Sequence, residues 1–145
     1  MRFMIIVRAA PDSERGVIPS EHMFAEMANY HEELKKVGIL LDASGLQPSS
    51  TSWRIQYSGG KQIVVDRPFG ETKELIAGYT LIQVKSREEA LEWTARFENP
   101  VIDGNECQIE VRQSTNWKSS VPVSLWNAFA RWESQRRRNE RREQL

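Results

Sequence analysis

The chain has 145 residues, with 20 Lys and Arg against 20 Asp and Glu, and two His. One domain is the default at this length, and a chain of this size buries roughly two-thirds of its unfolded surface without needing a staple. Its 39% hydrophobic and 28% charged residues exclude a largely disordered chain. Zero net charge excludes a generally basic, nucleic-acid-binding surface. The zero is a cancellation: residues 1–115 carry 13 basic and 17 acidic side chains, and residues 116–145 carry 7 and 3. Cys107 stands alone, so no internal disulfide can form, and a reducing compartment is expected. Because it directly precedes the strand-like residues 108–111, it reads as a packed Cys rather than a nucleophile. The longest apolar run, Phe3–Val7, is far short of the ~20 residues of a membrane span. It is also too short for a signal-peptide core, so a cytoplasmic location is expected.

In chain order, residues 2–8 predict a strand that is apolar on both faces, and so covered on two sides. Residues 9–19, with Pro11, Gly16 and Pro19, predict a loop. Ser20 stands at the N-cap of a helix with Glu21 in its first turn. Met23, Met27, Tyr30, Leu34 and Val37 form its apolar stripe, and Gly38 stops it. Ile39-Leu40-Leu41 opens a second strand, interrupted by Pro48 and the run Ser49-Ser50-Thr51-Ser52. Trp53, Ile55 and Tyr57 alternate with Arg54 and Gln56, Ser58-Gly59-Gly60-Lys61 is turn chemistry, and Gln62–Val65 resumes the strand pattern; this predicts a hairpin. Asp66–Glu74 is a polar loop or helical turn, and Gly78–Val84 is another strand. Ser86-Arg87-Glu88-Glu89 matches a capping box, opening a helix with Ala90, Trp93 and Phe97 on its apolar stripe and its end at Asn99-Pro100. Gln108–Arg112 is the last strand of the body. In the tail, Ser124 can cap a helix whose Leu125, Phe129 and Trp132 share a face, followed by the arginines from Arg136 to Arg142.

Two β-α-β halves around a hairpin predict an α+β fold, a ferredoxin-like antiparallel sheet with both helices on one face, a β-hairpin insertion and a C-terminal helix. The body is expected over residues 1–115 and the helical extension with a basic end over residues 116–145. The uncovered sheet face, apolar in its first strand, is expected to meet a second copy, making a homodimer.

Asp66-Arg67-Pro68-Phe69-Gly70-Glu71-Thr72-Lys73-Glu74, continued by Leu75-Ile76-Ala77-Gly78-Tyr79, resembles the signature of the YCII-related, DGPF-domain family, which runs Asp-Gly-Pro-Phe-Ala-Glu-Thr-Lys-Glu before a Gly-aromatic strand. The likeness extends to Pro19-Ser20-Glu21, Pro48-Ser49-Ser50, Ser58-Gly59-Gly60 and Lys85–Ala90, and covers about residues 1–113. It implies a dimeric α/β barrel built from ferredoxin-like protomers, but no established reaction. Members often occur near extracytoplasmic-function sigma factors, which implies a regulatory setting. Arg67 stands where the family has Gly, adding a cation beside Asp66, and Gly70 stands where it has Ala. In the wider group a His on the first helix partners the Asp before Pro-Phe, and His31 is the nearest candidate here.

The candidate catalytic pair is therefore His31 with Asp66, since a carboxylate can orient an imidazole and hold its protonated form. The bland counterpart places His31 at the rim of the apolar stripe, with Asp66 capping a turn. Arg67, Phe69, Glu71 and Lys73 are the candidate ligand-binding residues, two cations and an aromatic wall suited to a small polar or anionic ligand. Their counterpart is a loop pinned by Pro68-Phe69. No metal, cofactor or phosphate-loop pattern is present in the sequence. Nucleic acid is expected only through the Arg136–Arg142 tail, if at all; a solvated helix end is favoured. A small-ligand protein with acid/base potential is the first functional expectation. A non-catalytic regulatory or protein-interaction module is the alternative.

Overall fold

The structure is a computed structural model that describes residues 1–66, 74–99, 106–116, 122–125, 127–128, 130–132 and 134–135. It divides into two units, Met1–Ser114 and Thr115–Leu145. In the first unit the order is β1 (Arg2–Arg8), α1 (Pro11–Glu14), α2 (Glu21–Lys36), β2 (Leu40–Gly45), a 3-10 turn (Ser49–Thr51), β3 (Trp53–Ser58), β4 (Lys61–Asp66), β5 (Ile76–Gln83), α3 (Arg87–Thr94) and β6 (Ile109–Gln113). In the second unit the described residues between 123 and 135 are helical. No helix among the described residues is long and apolar enough to cross a membrane.

Four strands form an antiparallel sheet in the order β2-β5-β1-β6, and β3-β4 form a separate two-stranded sheet. The chain is thus α+β with an antiparallel sheet and a hairpin. Alternation along β1 sends Phe3 and Ile5 to one face and Met4 and Ile6 to the other. The first face packs under α2 and α3: Phe3, Ile5, Tyr30, Leu34, Ile39, Ile82, Val84 and Ala90 are the buried core, with Trp93, Phe97 and Ile109 packed against it. The Tyr30 hydroxyl donates to the Trp93 carbonyl at 3.1 Å, and its ring meets Phe97 edge-on at 5.1 Å, joining the two helices over the sheet. Burial pushes the Tyr30 phenol up to about 12, with the nearby Arg96 charge opposing, so it stays a donor at every physiological pH.

Local chemistry explains the element ends. The Ser20 hydroxyl accepts from the Met23 amide at 3.2 Å, and Gly38 takes φ +77° after the last helical turn. Gly59 and Gly60 both have positive φ, as a two-residue hairpin turn requires. The Ser86 hydroxyl accepts from the Glu89 amide at 3.1 Å, while the Glu89 carboxylate accepts from the Lys85 amide at 2.7 Å, one residue earlier than a standard box.

Two expectations need correction. The stretch 9–19 is not all loop, because Pro11–Glu14 forms one helical turn, with Pro11 at its start where no N–H is needed. The helix opened by Ser86 stops at Thr94 rather than at Asn99. Beyond it the chain tightens into bonds from the Arg96 amide to the Trp93 carbonyl (3.2 Å) and from the Phe97 amide to Thr94 (3.1 Å). Phe97 still reaches the core from that tighter turn.

The sheet face away from the helices is read from the register. One row across it is Asp42-Leu81-Met4-Arg112 and the next is Ser44-Tyr79-Ile6-Glu110. Its centre is apolar and half-buried and its margins are polar. Tyr79 donates to Asp42 at 2.7 Å on one side, and Glu110 pairs with Arg8 and, at 3.5 Å, with Arg112 on the other.

Candidate functional site at the loop end of the sheet

The antiparallel pairing gathers one set of connections at one end of the sheet. β1 and β2 finish there, and β5 and β6 begin there. Three backbone bonds close this end: the Ala9 amide to the Leu75 carbonyl (2.9 Å), the Leu46 amide to Ala77 (2.8 Å) and the Arg8 amide to Gln108 (3.0 Å). The motif segment therefore enters from Asp66, the last residue of β4, and leaves through Leu75, which is tied to the residue after β1.

Two of these connections are latched by a buried contact that sequence spacing does not reveal. The half-buried Glu14 carboxylate accepts from the Ser49 amide, at 3.2 and 3.3 Å to its two oxygens, and from the Ser49 hydroxyl. Ser49 itself is buried. Glu14 thus accepts from the amide and hydroxyl at the start of the 3-10 turn, as an acidic cap does for a helix. The partners are 35 residues apart, and neither residue type was singular in the sequence.

His31 is half-buried on α2, facing β5. Its Nε2 lies 2.9 Å from the Thr80 hydroxyl, and the ring also hydrogen-bonds the Met27 carbonyl one turn back. Thr80 is buried in the middle of the central strand. In the tautomer that donates to Met27, Nε2 accepts from Thr80 and the neutral ring is satisfied on both sides. Burial lowers the His31 pKa from its ordinary value, the Met27 bond partly opposing. Asp66 is exposed, at the end of β4 across from Trp53. Among the described residues no hydrogen bond or ion pair joins His31 to Asp66. Arg67, Phe69, Glu71 and Lys73 lie outside the described residues, as do Phe129 and residues 136–142 of the tail.

The His31 geometry sets a pH dependence. With its folded pKa depressed, the unfolded chain binds the proton more readily, so the favourable contribution is complete above the unfolded value and is lost as pH falls through the folded one. Thermal unfolding between pH 8 and pH 5 should show a decline in midpoint on the acid side. That decline should be shallower in His31→Gln, which keeps an amide able to meet Thr80; equal slopes would show that His31 is not the group responsible.

Cys107 is half-buried, with Sγ 3.9 Å from the Arg8 carbonyl oxygen and 3.8 Å from that of Gln108. Burial pushes its thiol up, the opposite of what a nucleophile needs. No group of three His, Cys, Asp or Glu among the described residues is placed to hold a metal ion. A surface hollow lined by Asn127, Ala130, Arg131, Ser134 and Gln135 lies within the second unit and includes none of the candidate site residues.

Among the described residues, a four-stranded antiparallel sheet with α2 and α3 packed on one face, beside a separate two-stranded hairpin, makes this an α+β protein. Residues 1–113 match the YCII-related domain, and the chain belongs to that family. It is 30% identical over 79 residues to an uncharacterized protein of Rhizobium meliloti, a stretch that is 54% of this chain and 64% of that relative. The chain thus spans less than two-thirds of the length of that curated relative. A solved structure with 15% identity is 5-chloro-2-hydroxyhydroquinone dehydrochlorinase (TftG) of Burkholderia phenoliruptrix, in complex with 2,5-dihydroxybenzoquinone. It is similar over 79% of this chain and 94% of its own, with a TM-score of 0.43.

Proposed function

We propose that this protein binds a small polar or anionic ligand at the loop end of its sheet, with Asp66 and the segment Arg67–Lys73 as the binding elements. The supporting observation is the convergence there: the segment's two ends, at Asp66 and Leu75, and the connections held by Glu14 and Ser49. By sequence the segment carries the cations Arg67 and Lys73 and the aromatic Phe69, residue types suited to a small polar or anionic ligand. Exposed Asp66 is a carboxylate open to a ligand, whereas the His31 ring is occupied by Thr80 and Met27. Acid/base chemistry through both residues would require His31 to leave those partners. Binding requires no such movement, and is the reading the geometry favours.

The protomer is ferredoxin-like in this reading, and it pairs through the open sheet face into a dimeric barrel. The apolar centre formed by Met4, Ile6, Tyr79 and Leu81 gives that face a reason to be covered. Its two margins are complementary, with Asp42 on the β2 edge and Arg8 and Arg112 around Glu110 on the β6 edge. A two-fold axis lying between the two faces and parallel to the strands brings the unlike margins together.

A thermal-shift panel of small carboxylates, phosphates and phenols, run on wild type and Asp66→Ala, tests the site. A specific binder at 100 times its dissociation constant stabilises the fold by about 2.7 kcal/mol. Asp66 is exposed, so the unliganded variant should unfold within about 0.5 kcal/mol of wild type. The ligand-induced shift should shrink as affinity falls at least tenfold. A hit that binds the variant as tightly as wild type would place the site elsewhere.

A further inference from the structure

The β3–β4 hairpin presents an exposed apolar face. It shares no strand with the four-stranded sheet. Eleven of its twelve strand residues are exposed. The register puts Trp53, Ile55 and Tyr57 on one face, with Val64 directly across from Ile55. Their exposures are 66%, 47%, 69% and 66%. Two aromatics and two β-branched residues in one exposed cluster are chosen for packing, not for a solvated ribbon. A lone two-stranded hairpin is marginal in water, and among the described residues no third strand pairs with this one.

We infer that the hairpin is an arm that lays its Trp53-Ile55-Tyr57-Val64 face on a second copy of the chain. The inference rests on the dimer reading above and adds the element that makes such a dimer stable. Four strands at ~4.8 Å spacing and five residues at ~3.4 Å give the open face about 320 Å² in projection. Each partner in a stable interface buries ~800 Å². The sheet face alone therefore falls short by more than half. A six-residue ribbon adds about 200 Å². In a two-fold dimer each protomer both gives an arm and receives one, so the arm contributes twice, and the total approaches the standard size. The arm also begins and ends at the loop end: β4 delivers Asp66 to the motif segment, and the 3-10 turn latched by Glu14 leads into β3.

Sedimentation and hydrogen exchange, on wild type and on the double variant Trp53→Ser with Tyr57→Ser, test this. Both residues are exposed, so the fold should survive, as circular dichroism would verify. The expected result is a dimeric wild type whose dissociation constant rises at least 30-fold in the variant. Amides of residues 53–66 should exchange at least tenfold more slowly in the wild-type dimer than in the dissociated variant. A monomeric wild type at 100 µM would overturn the dimer reading and the arm together. A dimer whose affinity is unchanged by the double substitution, with fast exchange in residues 53–66, would overturn the arm and leave the dimer standing. Slow exchange in a monomeric sample would assign the arm to its own chain and likewise overturn the inference.

Discussion

Gly78→Ala is expected to destabilise the domain by about 3 kcal/mol, near the upper end of the cost of overpacking. Gly78 is in β5, the strand between β1 and β2, with Gly45 of β2 as its cross-strand partner. A β-carbon placed on it would stand 2.8 Å from the Ser44 carbonyl oxygen and 3.3 Å from the Gly45 α-carbon. Both are backbone atoms, so no side chain can rotate away; the strands themselves must separate. Their separation would strain the bond from the Leu46 amide to the Ala77 carbonyl and, through the connection that follows β2, the turn at Ser49. The loss should appear as a fall of roughly 10–15 °C in the unfolding midpoint for a unit of this size, with ligand affinity at the loop end falling as well. Gly45→Ala is the matched control, because nothing lies within 4 Å of its added carbon. It should change stability by no more than about 1 kcal/mol. Equal behaviour of the two variants would show that the strand separation is not set by Gly78.

What was legible in the chain was local. Ser20, Gly38, the Gly59-Gly60 turn and Ser86 each act on backbone within four residues, and each does in the fold what its position indicates. The period-two stretches give the strands, and β1's apolar residues on both faces announce one face for the core and one that is half-covered. The helical turn at Pro11–Glu14 escaped because four residues carry no period. The contacts that shape the site are long-range. Glu14 meets Ser49 across 35 residues, and His31 meets Thr80 across 49. Thr80 at an alternating position of a strand reads as a surface residue until the helix is seen to cover that face. His31 on the rim of the apolar stripe was legible; the identity of the group it faces was not, since that depends on how far α2 lies along β5. The hairpin shows the converse: its register was readable, while its exposure on both faces is a tertiary fact.

Leu34→Ala should cost about 3 kcal/mol, a large share of the 5–15 kcal/mol that holds a typical domain together. Leu34 has no exposed surface and lies in the fourth turn of α2, among Phe3, Ile5 and Ile82 of the sheet, Val84 just after β5 and Ala90 of α3. Removing its three terminal carbons leaves a void that the closely packed core can close only by moving α2 toward the sheet. Such a movement would change the register of His31 against Thr80, so the His31-linked acid dependence should change with it. Val37 belongs to the same stripe in the sequence, but it lies past Lys36, the last residue of α2, and is 54% exposed. Val37→Ala should therefore stay within about 0.5 kcal/mol. Urea unfolding of both variants, read at a constant slope against denaturant, separates the two cases. A Leu34→Ala midpoint within error of that of Val37→Ala would mean that α2 does not anchor the core through this residue. A tenfold or larger excess of unfolded chain in Leu34→Ala alone would show that the stripe stabilises only where the sheet lies beneath it.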